Sequence, residues 1–231
     1  MKKWFKRIVL LSITLIALTT LYFVGSGYQM YFDALMETSL EDKVSEIRSK
    51  ESYTTLDELP DMYLTAVISV EDRRFYKHNG IDIIAIGRAL WNDIKAMSFV
   101  EGGSTITQQL ARNMYFTQDK EIKRKIAEMF MAFHIERHYE KDEILELYVN
   151  TIYFGNGYYG IYNASEGYFG KHPSKLTDYE CTLLAGIPNA PSVYALTNNP
   201  KLAKERQQQV INKMVDSGNL SMEEARRLLQ E

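Results

Sequence analysis

An apolar run near the N-terminus constrains this chain more than any other feature of its sequence. Residues 8–24 are almost wholly apolar, and the residues before them include Lys2, Lys3, Lys6 and Arg7. A run of this length predicts a transmembrane helix, and the basic residues predict that its N-terminal side stays in the cytoplasm. The rest of the chain is then expected to lie outside the cytoplasm.

A cleaved signal peptide is the alternative to an anchor. The apolar run is longer than the roughly 7–15 residues of a signal-peptide core, and Gly25, Ser26 and Gly27 offer no A-x-A cleavage site. Aromatic residues that flank the run suit the membrane–water interface. They are Trp4, Tyr22, Tyr28 and Tyr31. Both features favour an uncleaved anchor.

Length and composition set bounds on the remainder. We predict a cytoplasmic basic segment at 1–7, an anchor at 8–27, a partly helical stalk at 28–58 and one domain at 59–231. The net charge of −3 argues against a nucleic-acid partner. Because Cys181 is the only cysteine in the sequence, an internal disulfide and a cysteine-based zinc site are excluded.

Helical periodicity predicts a mainly α domain, because period-two alternation is scarce. The predicted helices cover 60–71, 81–97, 105–116, 121–138 and 141–150, with others near residues 162, 176, 200 and 221. The segment Ile81 to Val100 is more apolar than an ordinary surface helix. Two interpretations of it stay open: a core helix, or a helix in the membrane interface.

Glu71 is the first candidate for chemistry. It follows an apolar run at the C-terminal end of its predicted helix and stands beside Asp72. A carboxylate in such a place is a candidate general base. The alternative is that Glu71 and Asp72 form ordinary solvated ion pairs with Arg73 and Arg74.

The segment Gly103 to Asn113 is a candidate phosphate site. Glycines lead into a predicted helix start, where Thr105 and Gln108 have capping-box spacing. Hydroxyl, amide and cationic side chains on one face of a helix N-terminus suit a phosphate group. A well-capped structural helix is the alternative.

The helix that follows carries a charged pair on an apolar face. Arg124 and Glu128 are four residues apart and lie among Met131, Ala132 and Ile135 on the predicted wheel. A buried charge is costly unless it is paired or used, so this pair is a candidate functional element; an ordinary surface salt bridge is the alternative.

Together these residues resemble glycosyltransferase family 51 domains. Segments 71–80, 103–113 and 124–128 are similar to the first three motifs of that family, 141–171 to the fourth and 183–194 to the fifth. The likeness runs in the family's order from about Leu59 to about Met214. Arg112 departs from the pattern, since lysine is frequent there, but it keeps the positive charge.

The resemblance implies a mainly α, lysozyme-like domain with a small membrane-proximal lobe that includes Ile81 to Val100. It also implies a monofunctional enzyme without a transpeptidase domain, because the sequence stops at Glu231. Such an enzyme would join lipid II units into β-1,4-linked glycan strands, with inversion at the anomeric carbon and release of undecaprenyl pyrophosphate. Its partners would be lipid II, the lipid-linked glycan chain, the bacterial cytoplasmic membrane and other cell-wall synthesis proteins.

The same resemblance assigns roles to residues. Glu71 would be the base, and Glu128 would hold cations or a divalent metal at the leaving group; no cofactor is required, although Mg²⁺ or Mn²⁺ is compatible. Developing negative charge would be stabilised by Arg112, Lys120, Arg124 and Lys125. The donor cleft would be lined by Ser104, Gln108, Gln109, Asn113 and Tyr168.

Two rival functions use parts of the same pattern. A lysozyme-like hydrolase would also need a cleft glutamate, but it has no need of a cation cluster for pyrophosphate or of a membrane-seated segment. An inactive membrane-bound scaffold has no need of Glu71 and Glu128. Elongation of chains from purified lipid II separates the three functions.

The charge pattern around the apolar run predicts the topology. Protease added to intact protoplasts should digest the domain while cytoplasmic marker proteins stay intact, because the basic residues hold the N-terminus inside. Immunoblotting with an antibody to the domain measures this. Complete protection of the domain would contradict the predicted topology.

Overall fold

The computed structural model describes residues 2–96, 102–116 and 122–230, and within these ranges the chain is built from helices without a β-strand. An isolated antiparallel bridge joins Tyr153 and Tyr159. The mainly α prediction is therefore confirmed. The helices are α1 (Lys2–Glu37), α2 (Leu40–Arg48), α3 (Asp61–Glu71), α4 (Ile83–Ala96), α5 (Ile106–Tyr115), α6 (Ile122–His138), α7 (Lys141–Thr151), α8 (Ile161–Phe169), α9 (Asp178–Gly186), α10 (Pro191–Tyr194), α11 (Pro200–Asp216) and α12 (Met222–Leu228).

Local capping signals fix the starts of several helices. Thr105 precedes α5, Thr177 precedes α9 and Ser221 precedes α12, and each hydroxyl accepts the backbone N–H three residues later. In each case the side chain at that third position bonds back to the cap, which satisfies two backbone donors at the helix end. These boundaries follow from short sequence patterns alone.

The core forms around α3. Tyr63, Ala66, Val67 and Val70 recur at helical spacing and are all buried, and α3 packs on α9 and α11 through this face. Glu71 is the last residue of the same helix. The burial of the apolar face therefore fixes the carboxylate at the edge of the core.

The apolar N-terminal helix continues far beyond the predicted anchor. Its apolar part is long enough to cross a membrane and is not buried in the protein, while its last turns pack on α6. Tyr28 and Tyr31 contact Phe130, and the hydroxyl of Tyr31 lies 3.2 Å from His134 Nδ1. A β-carbon on Gly27 would lie 2.6 Å from Ile126, so glycine is needed for this close approach.

The segment predicted as a stalk, 28–58, also takes part in the folded domain. Leu40, Val44 and Ile47 lie on one face of α2 and are buried in the main hydrophobic core. The sequence shows their helical spacing, but it does not show which surface they contact. The boundaries of the stalk remain a prediction.

The amphipathic α4 exposes its apolar face. Ile83, Trp91 and Ile94 are 76%, 69% and 71% exposed, and Ala89 is the residue of this helix that is buried. This exposure excludes the core interpretation of the segment. Met97, Phe99 and Val100, the end of the predicted apolar segment, lie outside the described residues.

The burial of one face of α2 leads to a testable prediction about stability. Leu40→Ala should lower the free energy of unfolding by about 2–5 kcal/mol, because it removes a fully buried side chain and leaves a cavity. Urea unfolding of the protein in detergent micelles measures this. The matched control is Ser45→Ala on the exposed side of α2, which should change stability by less than about 0.5 kcal/mol. Equal effects of the two variants would contradict the packing.

Candidate active site

The side chain of Glu71 is hydrogen-bonded at one oxygen and unpaired at the other. Its Oε2 accepts a hydrogen bond of 2.7 Å from Gln109 Nε2. Its Oε1 is buried and has no hydrogen-bond partner among the described residues. A buried acceptor without a donor is costly and needs a specific reason. An oriented carboxylate with one unpaired oxygen can accept a proton from a bound hydroxyl group.

Glu71 stands between two adjoining cavities of about 280 and 350 Å³. Both cavities are lined by Val70, Glu71, Gly102, Ser104 and Lys213, so they form one cleft with two chambers. Further cations line the first chamber at Arg73, Arg74 and Arg88 and the second chamber at Arg112 and Arg206. In the first chamber Glu71, Asp72, Asp82 and Asp216 balance these cations, whereas in the second chamber Glu71 is the one acidic residue among the described lining. The second chamber therefore suits an anionic substrate.

Two hydrogen bonds join the loop after Glu71 to the start of α5. Asp72 is buried, pairs with His78 and accepts the backbone N–H of Ile106 at 3.1 Å. The hydroxyl of Thr105 donates to the Gly80 carbonyl at 2.6 Å. Because both bonds fix the first turn of α5, they bring Gln109 to Glu71.

Pairs of Glu71 and Asp72 with Arg73 and Arg74, the alternative that the sequence left open, are not among the ion pairs of the described residues. Asp72 pairs with His78, and Arg74 pairs with Asp82 at 2.9 Å. Asp82 also caps α4 by accepting two backbone N–H groups. Burial acts to raise the pKa of Asp82, but these bonds and the charge of Arg74 together hold it below the ordinary value. Asp72 and Asp82 therefore serve to shape the loop around Glu71.

A second charged cluster lies on α6. Glu128 is 1% exposed, and its two oxygens pair with Arg124 and with Lys125, the latter at 2.9 Å. Lys125 also donates to the hydroxyl of Ser104 at 2.6 Å. Since Ser104 lines both chambers of the Glu71 cleft, it joins the cleft to this cation cluster.

The contacts of the buried carboxylates show which oxygens already have partners and so bear on metal binding. Both oxygens of Glu128 already pair with cations, so a metal ion at Glu128 would compete with Arg124 and Lys125 for them. In the described ranges, ligand atoms of Asp72, His78 and Asp82 lie within 4.8 Å of one another. The carboxylate oxygens of Asp72 and Asp82 already accept backbone and side-chain hydrogen bonds. The geometry favours structural roles for these groups.

The structure places the predicted substrate residues in several locations. Ser104, Gln109 and Arg112 line the cleft beside Glu71. Gln108 instead completes the capping box, because its side chain accepts the Thr105 N–H at 3.1 Å. This local role was the alternative that the sequence left open. Lys120 lies outside the described residues.

Two other predicted substrate residues line neither chamber. Asn113 faces a separate cavity of about 220 Å³. Tyr168 packs against the loop 153–160, where its hydroxyl donates to the Phe154 carbonyl at 2.7 Å. Burial raises the pKa of Tyr168 to about 12, so it remains a neutral donor.

Sequence reasoning missed several residues of the cleft. Arg206 is 9% exposed and lines the second chamber together with Asn189, Tyr194 and Lys213. One signal was available, because Arg206 falls between Ala203 and Val210 on the apolar face of α11. A cation on a buried face marks a candidate site.

Comparisons with known proteins agree with this geometry. A family model described as Transglycosylase matches residues 39–215. Penicillin-binding proteins 1F and 2D of Bacillus subtilis are 48% and 45% identical over 171 and 182 residues, which are 74% and 79% of this chain but 24% and 26% of those proteins. The chain thus spans about a quarter of the length of these relatives.

A Cupriavidus necator protein whose name describes it as a transglycosylase is covered more fully. It is 41% identical over 180 residues, which are 78% of this chain and 78% of that protein. The family match includes every candidate residue from Glu71 to Tyr168 and continues through Arg206. The chain belongs to the transglycosylase family.

Proposed function

We propose that this protein is a peptidoglycan glycosyltransferase that extends lipid-linked glycan strands with lipid II. One observation carries the proposal: Ser104 joins the cleft of Glu71 to the buried cluster of Arg124, Lys125 and Glu128. Glu71, as the base, then lies next to a cation cluster that can bind an anionic leaving group. Glycosyl transfer from a lipid pyrophosphate needs both groups within reach of one sugar.

Glu71 acts on the acceptor. Its Oε1 takes the proton of the 4-hydroxyl group of lipid II, while Gln109 holds Oε2. The hydroxyl oxygen forms a bond to the anomeric carbon of the donor strand as the bond from that carbon to the pyrophosphate breaks. Attack from the face opposite the leaving group inverts the anomeric carbon and gives a β-1,4 linkage.

Cations on α5 and α6 receive the leaving undecaprenyl pyrophosphate. Arg112, Arg124 and Lys125 stabilise the charge that develops on its oxygen atoms, and the resemblance adds Lys120. Glu128 keeps Arg124 and Lys125 in place, because a buried carboxylate fixes the two cations that it pairs with. A divalent metal ion would supply the same charge stabilisation if it were bound.

The lipid chain of the donor has a place close by. Arg124 also lines a cavity of about 780 Å³ between the last turns of α1 and the end of α5. Ser26, Gln29 and Met30 of α1 form one wall, and Tyr115 and Phe116 form another. A polyprenyl chain in this cavity would pass from the cation cluster along the membrane helix.

The first chamber suits the acceptor. It shares Glu71 with the second chamber, and its lining includes Arg88 and Lys213 beside the acidic Asp82 and Asp216. These cations suit the pyrophosphate of lipid II. The acceptor hydroxyl would then face Glu71 from one chamber and the donor sugar from the other.

Membrane contact makes the lipid substrates accessible. We place the domain on the outer face of a bacterial cytoplasmic membrane, anchored by α1. The exposed apolar face of α4, with Ile83, Ile84, Leu90, Trp91 and Ile94, would rest in the membrane interface. The first chamber, which Ala85, Arg88 and Asn92 of α4 line, would then open close to the bilayer surface.

Substitution of Glu71 and substitution of Glu128 should have different effects on turnover and on ligand affinity. Glu71→Gln keeps size and most hydrogen bonding but cannot accept the proton, so turnover of lipid II should fall by roughly 10²–10⁴-fold while affinity for the phosphoglycolipid moenomycin stays close to that of the parent. Glu128→Gln weakens the hold on Arg124 and Lys125, so both turnover and moenomycin affinity should fall.

The measurements are lipid II polymerisation in detergent and moenomycin binding, after circular dichroism has shown that both variants are folded. The matched control is Glu166→Gln at an exposed position of α8, which should behave like the parent. Polymerisation by Glu71→Gln near the parent rate would refute the mechanism. Release of soluble sugar fragments from finished peptidoglycan would favour a hydrolase instead.

Insertion of α4 into the membrane can be measured separately. The sequence has two tryptophans, Trp4 and Trp91, so Trp4→Phe leaves Trp91 as the single reporter. Brominated lipids in reconstituted vesicles should quench the fluorescence of Trp91, because its ring would lie in the interface. Charge introduced by Ile94→Glu should reduce the quenching. Fluorescence that brominated lipids leave unchanged would contradict membrane contact by α4.

A further inference from the structure

A small polar cavity lies beside α5 and shares no described lining residue with the two chambers around Glu71. It has a volume of about 220 Å³ and is walled by α2, α5, α7, α8 and the loop that precedes α8. Consecutive residues of α5 connect the two regions, because Arg112 lines the second chamber and Asn113 lines this cavity. We call it the Asn113 cavity.

One wall of the Asn113 cavity is an exposed aromatic ring. Tyr159 is 60% exposed, and its ring packs against Tyr153 at a tilt of 32° with centroids 4.6 Å apart. The loop that carries it is held by backbone bonds, including Gly160 N–H to Ile152 O at 2.9 Å. A rigid aromatic surface loses little conformational entropy when a ligand binds, and aromatic rings stack on the apolar faces of sugar rings.

The cavity also offers a buried amide donor. Asn113 Nδ2 is buried and has no hydrogen-bond partner among the described residues. The other amides there are engaged, since Asn150 bonds the backbone of Thr54 and Asn163 donates to Tyr159 O. An unsatisfied buried donor costs free energy that a ligand carbonyl or hydroxyl oxygen would recover.

The rim of the cavity carries positive charge from α2. Lys43 and Lys50 both line it, and Lys43 lies 3.6 Å from the carboxylate of Glu46. Lys50 is exposed in the turn that follows α2. Two lysines against one glutamate leave a net positive rim, which attracts a carboxylate on the ligand. The ligand class is an amino-sugar chain that bears carboxylate groups.

We propose that the Asn113 cavity binds a sugar unit of the growing glycan strand at a distance from the reaction centre. The assignment rests on the proposed function, which supplies the strand. A strand held at a second point stays near the cleft between additions, because its effective concentration there remains high. The cavity should therefore set how long a strand grows, while Glu71 sets how fast each unit is added.

Measurement of both strand length and initial rate distinguishes the effect of the Asn113 cavity from the effect of Glu71. Tyr159→Ala removes the stacking surface, and Lys50→Glu reverses the charge at the rim. With the full-length protein and purified lipid II, each should shorten the mean strand at least about threefold while the initial rate of lipid II consumption changes less than about twofold. Gel electrophoresis of the products gives the strand lengths.

Two control variants match these changes. Tyr159→Phe keeps the ring, and Lys175→Glu reverses an exposed charge on a residue that lines none of the described cavities beside Glu71 or Asn113. Both should give strands of parent length. Parent-length strands from both Tyr159→Ala and Lys50→Glu would overturn the proposal. An equal fall in rate and length would place these residues in the reaction cleft and also overturn it.

Binding of a soluble strand tests the cavity without turnover. A tetrasaccharide of alternating N-acetylglucosamine and N-acetylmuramic acid should bind the parent and bind Tyr159→Ala at least about fivefold more weakly, and inorganic sulfate should not compete. Equal binding to parent and variant, or displacement by sulfate, would overturn the proposal. A parent that binds the tetrasaccharide but does not consume lipid II would refute the proposed function and leave the cavity assignment standing.

Discussion

The buried pairing of Glu128 with Arg124 and Lys125 is the interaction on which the rest of the site depends. A carboxylate that is 1% exposed would be costly alone, and two cations compensate for its charge. Lys125 reaches Ser104, which lines the cleft of Glu71. One buried charge on α6 therefore fixes the spacing between the cation cluster and the cleft.

The same helix couples the cation cluster to the apolar N-terminal helix. One side of α6 carries Glu128 and Lys125, which reaches Ser104, and another packs on the last turns of α1 through Phe130 and His134. Since α1 is one continuous helix, the cation cluster has a defined height above its apolar part. The lipid-linked substrates that we propose would need such a defined height, because the lipid chain limits how far its headgroup can reach.

Local patterns predicted the parts of this site that short-range physics governs. The i,i+4 spacing of Arg124 and Glu128 and the capping box at Thr105 both form as the sequence indicates. Glu71 ends its helix as predicted. Side-chain direction was only partly predictable. Capping-box spacing assigns Gln108 to the cap, whereas the packing of α5 on α6 and α7 brings its chemically identical neighbour Gln109 to Glu71.

The sequence by itself determined the helical class, the apolar N-terminal helix and the family motifs, because helical periodicity, run length and motif order are properties of the linear chain. Tertiary structure decided which residues meet. Arg206 enters the cleft from α11, and α2 packs its apolar face into the core. Tyr159 and Lys50 meet at the Asn113 cavity although more than a hundred residues separate them. Such contacts depend on how helices pack across the core, and no local pattern of residues encodes that arrangement.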